Sequence, residues 1–228
     1  NAANTASALA RLGRSTRLLS KVGEDVLGTS ILQGLMEQGV LTDFMKVEGQ
    51  STFSTVLVDT TSGTRTCVNS PAVEMSAAEM PAAEVVASSR LRLIHLDGRH
   101  PEAALALTDA VKGLENPPCI TLDAERPRPG LETLLQRCDI LFCSARFPQT
   151  WTGKAGLPGA LASLLTETAT HASMVVATRG ERGSLLMVRK SSIDQSALGT
   201  EELAALKVPV VCCAGSFEGF YTLACDAW

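Results

Sequence analysis

Two asparagines at the start of the chain, Asn1 and Asn4, are spaced for shared chemistry. The residues around them predict a helix that includes 5–12 and ends at Gly13. Residues three apart on a helix share a face, so the two amides would point in the same direction. An amide both donates and accepts hydrogen bonds, and neighbouring hydroxyls of a polyhydroxylated ligand need both kinds of partner. Helix capping, a common role of asparagine, is the alternative.

Polar side chains also follow four predicted strands in the middle of the chain. These strands, at 93–97, 120–123, 139–143 and 174–177, are followed in turn by Arg99, Glu125, Ser144 and Thr178. In a parallel sheet, ligands bind beyond the carboxyl ends of the strands. This edge is therefore a candidate cleft for an anion or a metal. The ordinary polarity of surface loops is the alternative.

The order of the elements predicts the architecture that would hold these residues. Further strands are predicted at 16–22, 185–188 and 208–211, and helices at 25–38, 74–88, 101–111, 130–136 and 157–165. Short apolar strands that alternate with helices indicate a mostly parallel sheet covered on both faces. The β-branched runs 52–58 and 64–68, joined by a turn with Gly63, predict a hairpin that projects from this sheet.

Composition excludes several classes of function. The net charge is −4 and aromatic residues make up 4%, which gives no basis for nucleic-acid binding. No apolar run reaches the ~20 residues that a membrane helix needs. The chain has seven cysteines, an odd number, with no Cys-x-x-Cys motif. We interpret them as buried, reduced thiols and expect an intracellular, cytoplasmic protein, although a lost targeting segment stays an alternative.

The first part of the chain carries a recognisable signature. The run from Asn1 to Gly13, followed by Val22 and the segment from Gly23 to Gly28, resembles the first signature of the PfkB/ribokinase family of carbohydrate kinases. Within that family it is most similar to the ketohexokinase (fructokinase) branch. The resemblance implies a ribokinase-like three-layer α/β/α sandwich with a small β lid. It also implies one domain over 1–228, truncated at both ends, with lid strands inserted at about 44–68.

The resemblance also assigns roles to particular residues. Asn1 and Asn4 match the pair that binds the sugar hydroxyls. Arg99 matches an arginine that approaches the phosphates of ATP, and the run from Thr178 to Gly183 matches the Thr-x-Gly-x-x-Gly turn at the nucleotide site. The nucleotide-binding candidates are accordingly Arg99, Thr178, Gly180 and Gly183. Glycines in such a turn would let the backbone approach the phosphates.

Magnesium is implied as the partner of ATP, but no ligand can be assigned to it. The family's Asn-x-x-Glu motif falls at Ser144 to Phe147, where neither Asn nor Glu is present. The ketohexokinase branch departs from the same motif. Asp123 and Glu125 are the nearest carboxylates and could act through water.

The strongest departure from the family lies near the end of the chain. The family has a Gly-Ala-Gly-Asp turn whose amides hold phosphate charge and whose Asp acts as general base. Here the matching residues are Gly215, Phe217 in place of the second glycine, and Glu218 in place of the base. Every departure begins after Val211. We expect the natural protein to continue with the family pattern, and a genuine degenerate end is the alternative.

Together these features predict an ATP-dependent sugar kinase that phosphorylates a hydroxyl of a ketose or a related sugar. We also expect a homodimer formed through the lid strands. A nucleoside kinase of the same fold is the first alternative, and a catalytically dead pseudokinase that binds sugar or nucleotide is the second. A dinucleotide oxidoreductase is disfavoured, because no Gly-x-Gly-x-x-Gly follows any predicted strand.

Overall fold

A computed structural model describes residues 2–71, 74–81, 86, 91–192, 215–217 and 220–225 of the 228-residue chain. The chain divides into two compact units, Asn1–Pro81 and Ala82–Trp228. The single-domain organisation expected from the sequence stays a prediction, and the two units are described separately. No helix in the described part of the chain is long and apolar enough to cross a membrane.

The first unit is built from two helices and short strands. Helix α1 is Ala2–Arg11 and helix α2 is Val26–Glu37. The strands are β1 (Thr16–Arg17), β2 (Lys21–Val22), β3 (Val40–Leu41) and β4 (Lys46–Val47). Strand β1 pairs in parallel with β3, and β2 pairs in parallel with β4.

The continuous strand predicted at 16–22 is therefore two short strands. The cause is a change of partner. After β1 the Leu18 amide still donates to the Leu41 carbonyl at 3.0 Å, whereas the Ser20 carbonyl accepts from the Lys46 amide at 2.9 Å. β-Branched and apolar residues specify an extended chain, but they do not specify which strand it pairs with.

A small core holds the helices of this unit to its strands. Ala6 of α1 and Leu35 of α2 are buried with Leu18 and Val40. Helix α2 begins at Asp25, which caps it, and the chain leaves the helix at Gly39, whose φ is +81°. The helix predicted at 25–38 is thus confirmed. It ends before Gly39 because glycine adopts this left-handed conformation at little cost.

The predicted hairpin is present as β5 (Ser54–Asp59) and β6 (Thr64–Asn69). The two strands pair antiparallel from Ser54 with Asn69 to Asp59 with Thr64. The connecting turn contains Gly63 at a φ of +66°. All twelve strand residues are exposed, so within the first unit neither face of the hairpin is covered.

The second unit contains a seven-stranded sheet. Its strands are β7 (Leu93–Leu96), β8 (Cys119–Ala124), β9 (Ile140–Ser144), β10 (Met174–Thr178), β11 (Ser184–Arg189), β12 (Gly215–Phe217) and β13 (Phe220–Cys225). Their spatial order is β12-β13-β11-β10-β9-β8-β7. Strands β7 to β10 are parallel, and β11, β13 and β12 continue the sheet with antiparallel pairing.

Helices connect these parallel strands. They are α3 (Pro101–Val111), α4 (Leu131–Leu135), α5 (Arg146–Thr152) and α6 (Leu157–Ser163), which is followed by a π-helical turn at Leu164–Thr168. Leu122, Leu141 and Val175 of the central strands are fully buried, as are Leu134 and Leu161 of the helices. Burial of central strands from both sides is the pattern of a doubly covered parallel sheet. The predicted α/β fold is confirmed.

One other prediction about structure needs correction. In the described part of the predicted helix 74–88, the structure has a 3-10 turn at Ala77–Glu79, Pro81 follows it, and Val86 is helical. Proline removes an amide donor and clashes with the preceding turn, which explains the interruption. The rest of that helix at 82–85 and 87–88, and the predicted strand 208–211, lie outside the described residues.

The cysteines are less uniform than expected. Cys138 and Cys143 are buried, and burial raises the pKa of each thiol to about 12, so both stay protonated. Cys67, in contrast, is exposed on the hairpin, and Cys119 is half-buried. The prediction that all are buried is wrong for Cys67, because its strand is covered by nothing in the first unit.

Candidate functional site

The sugar-binding candidates lie at the start of helix α1. Asn1 is outside the described residues, and Asn4 lies on the exposed side of the helix. Residues two positions apart on an α-helix differ by about 200° around its axis, so Asn4 lies opposite the buried Ala6. Packing of α1 through Ala6 therefore leaves the amide of Asn4 directed away from the core of its unit.

The glycine-rich segment of the signature is organised by Asp25. One carboxylate oxygen accepts hydrogen bonds from the Gly28 amide at 2.7 Å and from the Ser51 hydroxyl at 2.7 Å, and the other accepts from the Ser51 amide at 2.8 Å. Hydrogen bonds to the charged form, above all the one from the Ser51 amide, lower the pKa of Asp25. The carboxylate thus joins the start of α2 to a segment 26 residues further along.

Glycine is required at both ends of this segment. A Cβ at Gly23 would lie 2.1 Å from the Ser51 nitrogen, and one at Gly28 would lie 2.0 Å from the Gly23 carbonyl oxygen. Both distances are shorter than any van der Waals contact. An open cleft lined by Glu24, Asp25, Val26, Thr29, Ser30 and Gln33 lies beside this turn. None of the predicted site residues lines it.

Arg99, the predicted phosphate contact, lies beside two carboxylates. It follows β7 after Gly98, whose φ of +67° turns the chain and whose missing Cβ makes room for the Asp123 carbonyl. The Arg99 amide donates to the Asp97 carboxylate at 3.1 Å. Its guanidinium lies 4.0 Å from Asp97 and 3.8 Å from Glu125. Its positive charge is therefore partly balanced within the protein.

A histidine and a buried threonine also face each other across β7 and β8. His95 Nδ1 lies 2.9 Å from the Thr121 hydroxyl, and its ring packs edge-on against Phe142. Burial lowers the pKa of His95 and raises the pKa of Asp123, since it disfavours the charged form of each group.

The turn after β10 has the conformation that its glycines permit. Gly180 and Gly183 have φ values of +61° and +73°, which side chains rarely adopt. The Arg179 amide donates to the Gly183 carbonyl at 2.7 Å and closes the turn. A Cβ at Gly180 would meet nothing within 4 Å, so one side of this turn is open within its unit. Thr178, which precedes it, is exposed and pairs with Ser144 of β9.

Gly215 lies in a strand, where the resemblance implied a turn that opens a helix. It begins β12 and pairs with Thr222 of β13, and Phe217 pairs with Phe220. Glu218, the candidate base, lies outside the described residues. The backbone amides of 215–217 belong to an antiparallel strand pair.

The model of the pfkB family of carbohydrate kinases matches residues 1–202, which include both the amide-bearing helix and the turn after β10. The chain belongs to the pfkB family of carbohydrate kinases. No similar protein was found among the curated sequences.

Three solved structures share the pfkB fold of this chain. A PfkB protein from Polaromonas sp. JS666 is 20% identical with a TM-score of 0.67, over 81% of this chain and 67% of that one. A fructokinase from Xylella fastidiosa is 19% identical with a TM-score of 0.67, over 82% and 62%. A putative ribokinase II from E. coli in complex with ATP and Mg²⁺ is 18% identical with a TM-score of 0.66, over 81% and 63%. The chain thus spans about two thirds of the length of these relatives.

The described residues of this pfkB chain offer no set of ligands for magnesium. No group of three or more His, Cys, Asp or Glu side chains in that part of the structure could hold a metal ion. Asp97 and Glu125 are turned toward Arg99, and burial raises the pKa of Asp123. The carboxylates that the sequence offered thus do not form a metal cage on their own.

The sheet brings together residues that sequence reasoning did not single out. Helix α5 starts with Arg146 directly after β9, beside the turn that contains Arg179, and the Ala145 amide donates to the Thr178 carbonyl at 2.9 Å. The sequence signal for Arg146 was the departure from the Asn-x-x-Glu motif, which places an arginine at the third position of that motif. The carboxylates around Arg99 were visible as Asp97 and Glu125, but their pairing depends on the adjacency of β7 and β8.

Proposed function

We propose that this protein transfers the γ-phosphate of ATP to a hydroxyl of a ketose or a closely related sugar. The observation that carries the proposal is the pfkB family match over residues 1–202, since that family consists of carbohydrate kinases. The fructokinase from Xylella fastidiosa and the ATP and Mg²⁺ complex of the E. coli ribokinase II share the fold. They support the substrate class and the phosphate donor by analogy.

The sugar would be held by the amides of Asn1 and Asn4. The exposed position of Asn4, opposite the buried face of α1, is compatible with this role. A hydrogen bond between an amide and a buried hydroxyl is worth roughly 1 kcal/mol. A pair of amides would therefore contribute to sugar affinity without any charge.

The nucleotide would lie at the carboxyl ends of the parallel strands in the second unit. Arg99, Thr178, Gly180 and Gly183 are the proposed contacts, and the positive φ values of the two glycines support close approach of the backbone to phosphate. Mg²⁺ would arrive bound to ATP and would neutralise phosphate charge. The chain's own residues would orient the nucleotide and exclude water from it.

Glu218 is the proposed general base, with Gly215 contributing an amide to the developing phosphate charge. The carboxylate would accept the proton of the attacking sugar hydroxyl. A glutamate reaches one methylene further than the aspartate of the family, and a misplacement of about 1 Å can cost on the order of 100-fold in rate. We therefore propose slow turnover for this chain as it stands.

A ketose is preferred over a nucleoside because few aromatic side chains are available to stack on a base. The hairpin offers Phe53, which lies directly before β5 and is 59% exposed. Nucleobases are held largely by stacking on aromatic rings. The scarcity of such rings near the hairpin supports a sugar as substrate.

We also propose that two copies of the chain associate through the hairpin β5–β6. Val56, Leu57, Val58 and Val68 of the hairpin are between 49% and 63% exposed. Apolar side chains and an open strand edge at one place favour pairing with a second copy.

A protein that binds ligands without catalysis is the second candidate. The observation that favours it is strand β12, which occupies the position of the expected phosphate-binding turn and includes Phe217. A strand directs its amides to its neighbours, and phenylalanine lacks the backbone freedom by which glycine lets a chain approach phosphate closely.

Calorimetric titration of ATP and of D-fructose into the chain, together with an assay of ADP release, tests the proposal. Binding of both ligands and fructose-dependent ADP release are expected. Binding of both without any ADP release, even after Phe217→Gly and Glu218→Asp, would favour the second candidate. Failure to bind either ligand would exclude both, and ADP release with a nucleoside alone would make the protein a nucleoside kinase.

A further inference from the structure

The arginines at the carboxyl edge of the sheet differ in how their charges are balanced. Arg99 and Arg126 follow β7 and β8, and each lies within 4 Å of Glu125. Arg99 also lies 4.0 Å from Asp97. A phosphate that approached this side of the edge would meet carboxylates as well as guanidinium groups.

In the described part of the chain, the positive charges of the arginines that follow β9 and β10 are not balanced by carboxylates. Within the described part of the chain, neither Arg146 nor Arg179 forms an ion pair with an Asp or Glu side chain. Arg146 is exposed at the first position of α5, and the first turn of that helix holds no acidic residue. A cation at the start of a helix is not stabilised by the helix dipole. The positive charge of Arg146 therefore does not stabilise helix α5.

The two arginines leave the sheet from neighbouring strands. Ser144 and Thr178 are paired in the parallel register of β9 and β10, and the Ala145 amide donates to the Thr178 carbonyl at 2.9 Å. Arg146 follows the first chain and Arg179 follows the second, so both lie at the same end of the same strand pair.

Arg179 also has unused hydrogen-bonding capacity. Its Nε is buried and has no partner among the described residues, and one terminal nitrogen makes a long hydrogen bond of 3.4 Å to the Ser184 carbonyl. A guanidinium carries five N–H donors, and a buried donor without a partner is costly. A change of side-chain rotamer that turned the guanidinium toward an anion with several oxygens would give this donor the acceptor it lacks.

We infer that Arg146 and Arg179 together bind the polyphosphate of the nucleotide over the ends of β9 and β10. The inference deepens the proposed kinase function and rests on it. Guanidinium groups match phosphate oxygens in pairs of parallel hydrogen bonds, which fits two arginines beside a turn of open backbone. Ser144 and Thr178 are paired in register at the ends of these two strands. Arg99, already beside Asp97 and Glu125, has the lesser part in phosphate binding.

Calorimetry on the full chain tests the inference with three probes: ATP, tripolyphosphate and adenosine. Arg146→Ala, Arg179→Ala and Arg179→Lys are compared with Arg92→Ala. Arg92 is an exposed arginine that precedes β7, at the amino ends of the parallel strands. Loss of a charge-assisted hydrogen bond lowers affinity by about tenfold or more. Arg146→Ala and Arg179→Ala should weaken ATP and tripolyphosphate by about that factor and leave adenosine unchanged.

The conservative and control variants separate phosphate binding from structure. Arg179→Lys keeps the charge and loses the planar fork, so it should show a smaller loss than Arg179→Ala. Arg92→Ala should bind all three probes as the wild type does. Because Arg146 is exposed, its variant should fold normally and carry the test if Arg179→Ala is unstable.

Each outcome of these titrations either supports or overturns the inference. Unchanged ATP affinity in Arg146→Ala and Arg179→Lys, with normal binding by the wild type, would overturn the inference and leave the kinase proposal standing. An equal loss of ATP and adenosine affinity would also overturn it, because it would indicate a distorted site. If the wild type bound none of the three probes, the inference and the proposed function would fall together.

Discussion

Asp25 and Ser51, 26 residues apart, are joined by two hydrogen bonds in which the carboxylate accepts from the Ser51 hydroxyl at 2.7 Å and from its amide at 2.8 Å. The contact requires Gly28 to have no side chain, because a Cβ there would lie 2.0 Å from the Gly23 carbonyl and 3.0 Å from the Ser51 hydroxyl. The family signature in this segment thus has a structural explanation.

Gly28→Ala should therefore destabilise the protein by roughly 1–3 kcal/mol, the usual cost of overpacking. Gly34→Ala is a matched control in the same helix α2, where a Cβ would meet nothing within 4 Å. That control should raise stability by up to about 1 kcal/mol, the difference in helix propensity. Urea unfolding followed by circular dichroism measures both. Equal effects of the two substitutions would contradict this account of the motif.

Acid should weaken the first unit through Glu79. Its carboxylate accepts from the Ser76 amide at 2.8 Å and from the Lys21 ammonium at 2.9 Å. These bonds, the Ser76 amide first, lower the pKa of Glu79 from 4.5 to about 2. A lowered pKa gives stability that is fully present above pH 4.5 and is lost as the pH falls toward 2.

The midpoint of urea unfolding should therefore fall through this pH window, and it should fall less steeply in Glu79→Gln. The amide of glutamine keeps the shape and part of the hydrogen bonding but does not titrate. If the wild type and Glu79→Gln lose stability in parallel as the pH is lowered, another carboxylate causes the loss of stability in acid.

Asn4→Ala should weaken sugar binding and spare the nucleotide. Loss of one hydrogen bond to a buried hydroxyl, roughly 1 kcal/mol, corresponds to about a fivefold higher sugar requirement. Arg11→Ala, an exposed change on the same helix, is the control. Titration of D-fructose and of ATP into each variant gives the answer, and an unchanged fructose requirement in Asn4→Ala would remove this residue from the site.

The hairpin should be the place of self-association. Val56 and Val58 lie on one face of β5, because alternate residues of a strand share a face, and they are 49% and 63% exposed. Val56→Lys with Val58→Lys should convert a dimer into a monomer in sedimentation at micromolar concentration. Val26→Lys makes the same chemical change at a position 88% exposed outside the hairpin and should leave the dimer intact. A wild-type monomer would refute the proposal.

Much of the fold could be predicted because local sequence signals coincide with its elements. The helix predicted at 101–111 is observed as Pro101–Val111, with proline at the first position where its missing amide costs nothing. Helix α2 was found through the apolar spacing that ends at Gly39. The parallel strands were found as short apolar runs between helices.

The parts that were missed depend on contacts between distant segments. The split of 16–22 into β1 and β2 follows from pairing with β3 and β4, which sequence periodicity does not report. The carboxylates beside Arg99 come from two adjacent strands. Helix α5, with Pro148 inside it, starts directly after a strand and was not predicted. The pattern of apolar and polar residues predicts helices and strands. The charges that surround a site depend on which of these helices and strands lie next to each other.

The last prediction concerns the end of the chain, where Phe217 and Glu218 stand in the place of a family glycine and aspartate. Phe217 belongs to strand β12, paired through Phe220 with β13, so its amide is not presented in a phosphate-binding turn. We expect slow ADP release from the chain as it stands. Phe217→Gly combined with Glu218→Asp should raise fructose-dependent turnover, by up to about 100-fold if placement of the acid limits the rate.

The single substitution Glu218→Asp separates the two causes. It restores the length of the acid and leaves Phe217, so a full recovery by this variant alone would mean that the phenylalanine does not obstruct phosphate. No recovery by the single change and recovery by the pair would mean that the backbone at 217 must first leave the strand. Fast turnover by the unmodified chain would refute the obstruction altogether, because a carboxylate one methylene too long would then be placed well enough for proton transfer.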